Sequence, residues 1–321
     1  MGALAAGDRA ALAEVLSGAR PGAVLEGDNL DAMTAIPDGV VDLVYADPPF
    51  ATGDVQRLTS IRTGTGERTR RGFGDREVAW EAVGEQAWAD DLPLPEHLAA
   101  IRARLVEIRR VLAPHGSLYL HVDWRTVHHV RLLLDEVFGA QRFLNELVWA
   151  YDYGGRTRDR WPRKHDTILW YAKGEAWIFE RDAIDRIPYM APGLVGPEKA
   201  ARGKLPTDVW WMTIVPPGSK ERTGYPTQKP VRLLERIVAA SSRPGDLVLD
   251  PYAGSGTTGV AAARLGRRWL LIDRNPAAVA IARARLAAET GAGGDPAPGD
   301  GGRADPGTGG GRDDARTRAG G

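Results

Sequence analysis

Apolar and polar positions along the chain alternate between short apolar runs and segments of helical spacing. Residues 3–16 have helical spacing and predict an N-terminal helix within 1–22. Ala23-Val-Leu-Glu-Gly-Asp28 predicts a short strand ending in an acid, and Leu30, Met33 and Ile36 predict a helix stopped near Pro37. Residues 41–45 form an apolar, β-branched and aromatic run of the kind found in buried parallel strands, and Pro48 and Pro49 must end it. Ile101, Leu105, Ile108 and Leu112 share one face of a helix over 98–112, a strand follows at 117–121 and a further helix at 127–138. Two strand-like runs, 144–151 and 167–172, come next. Periodicity fades over 174–224, which is rich in proline, glycine and tryptophan, and this stretch is expected to be an insertion specialised for recognition and lying outside the sheet. Order returns after Pro230 with Leu233, Leu234, Ile237 and Val238 on one helical face. A strand at 247–250, a glycine-rich turn, a helix at 260–265 and a strand at 269–273 close the pattern. Strands alternating with helices predict an α/β fold with a doubly wound, mostly parallel sheet.

In such sheets ligands sit at the carboxyl ends of the strands, so the acids there carry the chemistry. Asp47 ends one strand and is followed by Pro48, Pro49 and Phe50, a rigid turn offering a carboxylate, backbone carbonyls and a flat ring. That set suits methylation of an exocyclic amino group on a base, whose lone pair is delocalised until two acceptors take its N–H bonds. Taken alone the tetrapeptide could equally be a capped strand end. Gly254-Ser-Gly-Thr-Thr-Gly259 stands between strand and helix with Asp273 about twenty residues beyond, the context in which glycines admit a nucleotide-like ligand and the acid takes its ribose hydroxyls. A nicotinamide dehydrogenase would share this motif, but too few residues follow it to build a dinucleotide domain. The order of strands is therefore circularly permuted, with Gly254 and Asp47 at neighbouring strand ends. Asp28 reads as a helix cap or as a partner for a ligand amine.

Composition narrows the chemistry. The chain has no cysteine, which removes disulfides, thiolate metal sites and the covalent cysteine route to methylating a ring carbon. The six histidines form no ligand-spaced cluster, so no metal is expected and His121 reads as structural. Net charge is zero and 43% of residues are apolar; no run of eighteen apolar residues and no signal-like start occurs, which predicts a cytoplasmic protein away from membranes. Arginine supplies 36 of the 42 cationic side chains, a bias that suits phosphate recognition or follows from genomic base composition. Six arginines between Arg57 and Arg76, with glycines at 64, 66, 72 and 74, read as a flexible basic loop, either closing over a polyanion or merely solvated. Arg156, Arg158, Arg160, Trp161, Arg163 and Lys164 interleave cations with an aromatic ring, as a nucleic-acid-facing loop or a solvated hairpin would. Beyond about residue 290 almost nothing is apolar, and the tail over 291–321 is expected to be disordered.

Asp47-Pro-Pro-Phe50, then Pro226-Thr-Gln-Lys-Pro230, then Asp250-Pro-Tyr-Ala-Gly-Ser-Gly-Thr-Thr258, in this order, closely resemble the beta-group, circularly permuted amino-methyltransferases that modify DNA with S-adenosylmethionine. Leu25-Glu-Gly-Asp-Asn29, Gly116-Ser-Leu-Tyr-Leu-His121, 163–171 and 219–225 look like the same family, so the resemblance covers roughly 24–290. It implies a Rossmann-like methyltransferase sheet with a catalytic half at 23–150, final strands and a target-recognition insertion at 151–225, and a cofactor-binding half at 226–290. It implies that Asp47 and the carbonyl of Pro48 bind the target amine, with Pro49 shaping the turn and Phe50 stacking on a base flipped out of duplex DNA. Asp250, Ala253, Gly254, Ser255, Gly256, Thr257 and Thr258, aided by Thr227 and Lys229, would hold the methionine part of the cofactor, Asp273 its ribose and Asp28 its adenine amine. Members acting on adenine N6 typically carry Asp at the first position of the tetrapeptide, and those acting on cytosine N4 typically carry Ser, so Asp47 favours adenine. Double-stranded DNA is the implied partner; a homodimer, a companion restriction nuclease, an RNA or protein acceptor and a non-catalytic DNA-binding module stay open.

Overall fold

The computed structural model describes residues 4–50, 92–154, 156–216 and 218–291 in full and the backbone of 54–71 and 77–90. The expected tail from residue 292 on, and part of the basic stretch after Arg71, lie outside the described residues. The first half of the chain supplies α1 (Ala6–Ser17), β1 (Gly22–Glu26), α2 (Asn29–Thr34), β2 (Val41–Ala46), β3 (Asp54–Arg71), β4 (Glu77–Asp90), α3 (Leu94–Val111), β5 (Leu112–Val122) and α4 (Val127–Phe138). The second half supplies β6 (Phe143–Ala150), β7 (His165–Ala172), α5 (Pro197–Arg202), β8 (Val209–Trp211), α6 (Val231–Ser241), β9 (Leu247–Asp250), α7 (Thr257–Arg264), β10 (Arg268–Asp273) and α8 (Pro276–Glu289).

Eight strands form one sheet in the order β1-β10-β9-β2-β5-β7-β6-β8. The first five in that order run parallel, β7 is antiparallel to both β5 and β6, and β8 runs parallel to β6. The strands that come last in the chain, β9 and β10, thus lie between β1 and β2, as a permuted order requires. Period-two alternation splits the core into two layers. Val44, Leu249, Leu270 and Leu120 face α1 to α4, where Val15, Met33, Leu105 and Leu134 are buried. Leu43, Val248, Leu271 and Tyr119 face α6 to α8, where Leu234, Ile237, Val260 and Leu286 are buried. The sheet is doubly wound, and its carboxyl edge is left open between the two helical layers.

Two expectations are corrected. The stretch from Arg57 is not a loop: β3 and β4 pair as an antiparallel two-stranded sheet, with Asp54 opposite Asp90 and Arg71 opposite Glu77. Its threonine, valine, isoleucine and tryptophan content favours strands, and Gly64 and Gly66 fall within a register shift between Thr63 and Arg68. Nor does all of 174–224 lie outside the sheet. Val209 to Trp211 add the edge strand β8 against Val148 to Ala150. Burial of Trp210 holds it there, and the Trp149 indole N–H donates to the Met212 carbonyl at 2.8 Å. Three residues are too few to show a period.

Candidate active site

The parallel strands bring four acids to one edge. Asp28 follows β1, Asp273 ends β10, Asp250 ends β9 and Asp47 follows β2, so the four occupy adjacent strand ends. They line a single cavity of about 510 Å³, together with Pro48, Pro49, Phe50, Thr227, Lys229, Ala253, Gly254, Ser255, Thr257 and Thr258.

Each acid is held by local structure. Asp28 caps α2 by accepting the Leu30 N–H at 2.8 Å, and its other oxygen takes the Arg104 guanidinium at 2.8 Å. It is therefore a cap and also a wall of the cavity. Asp273 accepts the backbone N–H groups of Gly254 and Asn275, each at 2.8 Å, and burial raises its pKa above the ordinary carboxylate value. Asp250 accepts from Tyr252 N–H at 2.9 Å and the Thr258 hydroxyl at 2.5 Å. Burial nevertheless pushes Asp250 up to about 7, with the charges of Asp47 and Asp273 adding to the rise.

The Asp47 turn is organised by a residue from far along the chain. Lys229 comes from the turn before α6, is buried, and donates its ammonium to Asp47 Oδ2. The same ammonium lies 5.4 Å from the Phe50 ring centroid. Lys229 thus binds the Asp47 carboxylate and also lines the cavity in which the resemblance has it aiding the cofactor. Two other elements shape this wall. Thr227 takes a left-handed backbone (φ 60°), a conformation that costs a non-glycine residue about 1 kcal/mol. Gln228 locks the preceding loop by accepting from Thr223 N–H at 2.9 Å and donating to the Glu221 carbonyl at 2.7 Å.

The two glycines of the Gly-rich turn have different surroundings. Gly254 has φ 49°, and a Cβ there would stand 3.1 Å from the Tyr225 ring. Gly256, expected to touch the cofactor, is outside the cavity lining. It has φ 77° and packs on α8, where a Cβ would come within 2.9 Å of the Ala282 Cβ and 3.2 Å of its Cα. From the same helix Arg285 donates to the Thr257 hydroxyl at 3.0 Å, and that hydroxyl donates to the Lys229 carbonyl at 3.2 Å.

Sequence reading missed two residues of the cavity wall, Arg104 and Tyr45. Arg104 sits on the face of α3 that meets the cavity and also contacts the Asn29 side-chain oxygen at 2.5 Å, while Asn29 donates to the Pro251 carbonyl at 2.7 Å. An arginine interrupting the apolar face of that helix was the available signal. Tyr45 is the other, and its hydroxyl meets His121, the histidine expected to be structural. His121 is fully buried, its Nδ1 is 2.8 Å from the Tyr45 hydroxyl, and its ring stacks on Phe50 with centroids 6.0 Å apart. Burial first, then the charge of Asp47, raises the Tyr45 pKa far above the ordinary phenol value.

The basic loop between β6 and β7 leaves the sheet at the same carboxyl edge, because β7 runs antiparallel to β5 with Thr167 beside Val122. Trp161 is 93% exposed, and Arg156, Arg158 and Arg163 are exposed around it. Arg163 stacks on the Trp124 ring at 3.5 Å, Arg160 pairs with Asp159 at 2.6 Å, and Lys164 donates to the Gly154 carbonyl at 2.8 Å. Among the described residues no group of three or more His, Asp and Glu gathers to hold a metal, and no helix is long and apolar enough to cross a membrane.

Sheet and helices together define a Rossmann-like fold of the α/β class. Two solved structures share the fold. The PvuII DNA methyltransferase, described as cytosine-N4-specific, has a TM-score of 0.59 at 18% identity, covering 83% of this chain and 86% of that one. The complex of M1.HpyAVI with SAM has a TM-score of 0.52 at 19% identity, covering 83% and 98%. Among curated relatives, the Type II methyltransferase M.HpaI of Haemophilus parainfluenzae is 30% identical, over 81% of this chain and 72% of its own. The Type II methyltransferase M.EcaI of Enterobacter cloacae is 28% identical, over 73% and 62%. Residues 41–284 match the N6/N4 methyltransferase family, described as DNA methylase, and the chain belongs to that family.

Proposed function

We propose that this DNA methylase transfers a methyl group from S-adenosylmethionine to the N6 amine of adenine in duplex DNA. The observation that carries the reading is the convergence of Asp28, Asp273, Asp250 and the Asp47-Pro-Pro-Phe50 turn on one cavity. The residues fit the cofactor. Asp273 presents a carboxylate of the kind that binds ribose hydroxyls, and the buried Asp250, held up to about 7, suits a ligand that brings positive charge. The cofactor, when bound, supplies a methyl group made electrophilic by its sulfonium. Everything else falls to the chain. Asp47 and the Pro48 carbonyl accept the two N–H bonds of the target amine and so localise its lone pair. Phe50 stacks on the base, an interaction worth about 1–3 kcal/mol, which offsets part of the few kcal/mol that flipping costs. Lys229 holds the carboxylate of Asp47 in place until the amine shares it. Alignment of amine and methyl group supplies the rate enhancement, with no covalent enzyme intermediate. Adenine is favoured over cytosine because Asp47 opens the tetrapeptide. Exposed Trp161 and its neighbouring arginines are the proposed DNA contacts.

The test is incubation with unmethylated genomic DNA and methyl-labelled S-adenosylmethionine, digestion to nucleosides and mass spectrometry. Label in N6-methyladenine is expected. Label in N4-methylcytosine would keep the mechanism and overturn the base, and unlabelled DNA would overturn the acceptor.

A further inference from the structure

Beneath Phe50 lies a buried polar chain that the site chemistry above leaves unused. His121 stands at the carboxyl end of β5 with no exposed surface. One face of its ring stacks on Phe50 (6.0 Å, 24°), while Trp149 meets it edge-on at 5.6 Å. Both ring nitrogens are engaged, Nδ1 with the Tyr45 hydroxyl at 2.8 Å and Nε2 with Asp166 Oδ2 at 3.2 Å. The other oxygen of Asp166 accepts the Tyr151 hydroxyl at 3.3 Å. Tyr151 and Asp166 are the two feet of the basic loop that carries Trp161: Tyr151 follows β6, Asp166 lies in β7, and Tyr151 N–H donates to the Lys164 carbonyl at 3.0 Å. A histidine that merely filled the core would need neither the aromatic face of the catalytic turn nor a carboxylate from the loop. Here it has both, with its ring rotation locked by hydrogen bonds at each nitrogen.

We infer that His121 is a positioning residue that ties the feet of the Trp161 loop to the Phe50 ring, so that the loop's seating sets the plane on which the target base stacks. The inference rests on the reading of Phe50 as the surface that receives the base. It identifies Asp166 as the coupling group, since that carboxylate hydrogen-bonds both the loop side, through Tyr151, and the imidazole.

Asp166→Ala cuts the tie and leaves His121 and Phe50 in the chain. Asp166→Asn keeps an oxygen able to accept the imidazole N–H. Methyl transfer to unmethylated genomic DNA, with DNA and cofactor affinities measured by titration, separates the outcomes. For Asp166→Ala the expected result is a fall in kcat of about tenfold or more with both affinities within about twofold, since a misoriented reacting plane lowers turnover and not binding. Asp166→Asn is expected to recover most of the loss. Unchanged kcat in Asp166→Ala would overturn the inference while wild-type turnover upheld the base-stacking reading. A loss of cofactor affinity equal to the loss of kcat, or an equal defect in both variants, would assign the chain to general stability and overturn it too. A wild-type protein that bound cofactor and methylated no DNA would instead overturn the reading of Phe50, and the inference with it.

Discussion

Cofactor binding by this chain is expected to expel a proton, and the group responsible is Asp250. Its carboxyl is fully enclosed at the end of β9 and is held up to about 7 by burial, against the opposing hydrogen bonds of Thr258 and Tyr252. From an ordinary carboxylate near 4, that rise corresponds to about 4 kcal/mol against ionisation in the unliganded site. The sign follows directly. An acid with a raised folded pKa holds a proton that the unfolded chain has released, so unliganded stability falls as pH rises from about 4 to about 7. A ligand bringing positive charge to the cavity favours the ionised carboxylate and reverses the shift. If binding requires the ionised form, the dissociation constant at about pH 6 is roughly tenfold weaker than at about pH 8, where it levels off. Calorimetric titration with S-adenosylmethionine, in two buffers of different ionisation enthalpy, reads affinity and proton release together. Nearly one proton per cofactor is expected at about pH 6 and almost none at about pH 8. Asp273 is also raised by burial, so Asp250→Asn is the control that assigns the proton. A flat affinity across this range, or a pH dependence that survives in Asp250→Asn, would show that Asp250 is not the group that releases the proton.

Trp161 is 93% exposed, so Trp161→Ala should leave stability within about 0.5 kcal/mol while weakening DNA binding by about tenfold, the value of one lost stacking contact; an unchanged DNA titration would remove Trp161 from the interface. Gly256→Ala places a Cβ 2.9 Å from that of Ala282 on a backbone at φ 77° and should cost about 1–3 kcal/mol, read as a lower urea midpoint. A midpoint equal to wild type would mean that α8 gives way at no cost.

How much of this was legible in the residues differs by element. Strands at 41–45, 247–250 and 269–273 announced themselves because a strand buried on both faces is written as an unbroken apolar run, and β2, β9 and β10 lie within or close to those limits. Their adjacency was inferred from the order of motifs, and the pairing of Leu43 with Val248 supplies it. What escaped were features that only tertiary contact creates. Val209 to Trp211 belong to the sheet because Trp210 is buried against β6, which no three-residue window reveals. Lys229 is 182 residues from Asp47 in sequence, and only the meeting of the α6 turn with β2 shows that it serves the carboxylate. His121 read as a core histidine because its partners, Tyr45, Asp166 and Phe50, come from two other strands and the turn. Gly256 matched a ligand-binding pattern, yet its neighbour is a helix. The motif marked the loop and left open which glycine faces which way.

On the proposed reading the Asp47 turn receives the amine while the other three acids serve the cofactor. Asp47→Ala, assayed for cofactor affinity and for label transfer to DNA on the same preparation, tests it most directly. Cofactor affinity is expected to stay within a few-fold of wild type, roughly 1 kcal/mol, with transfer reduced to background. Turnover near wild type would contradict it.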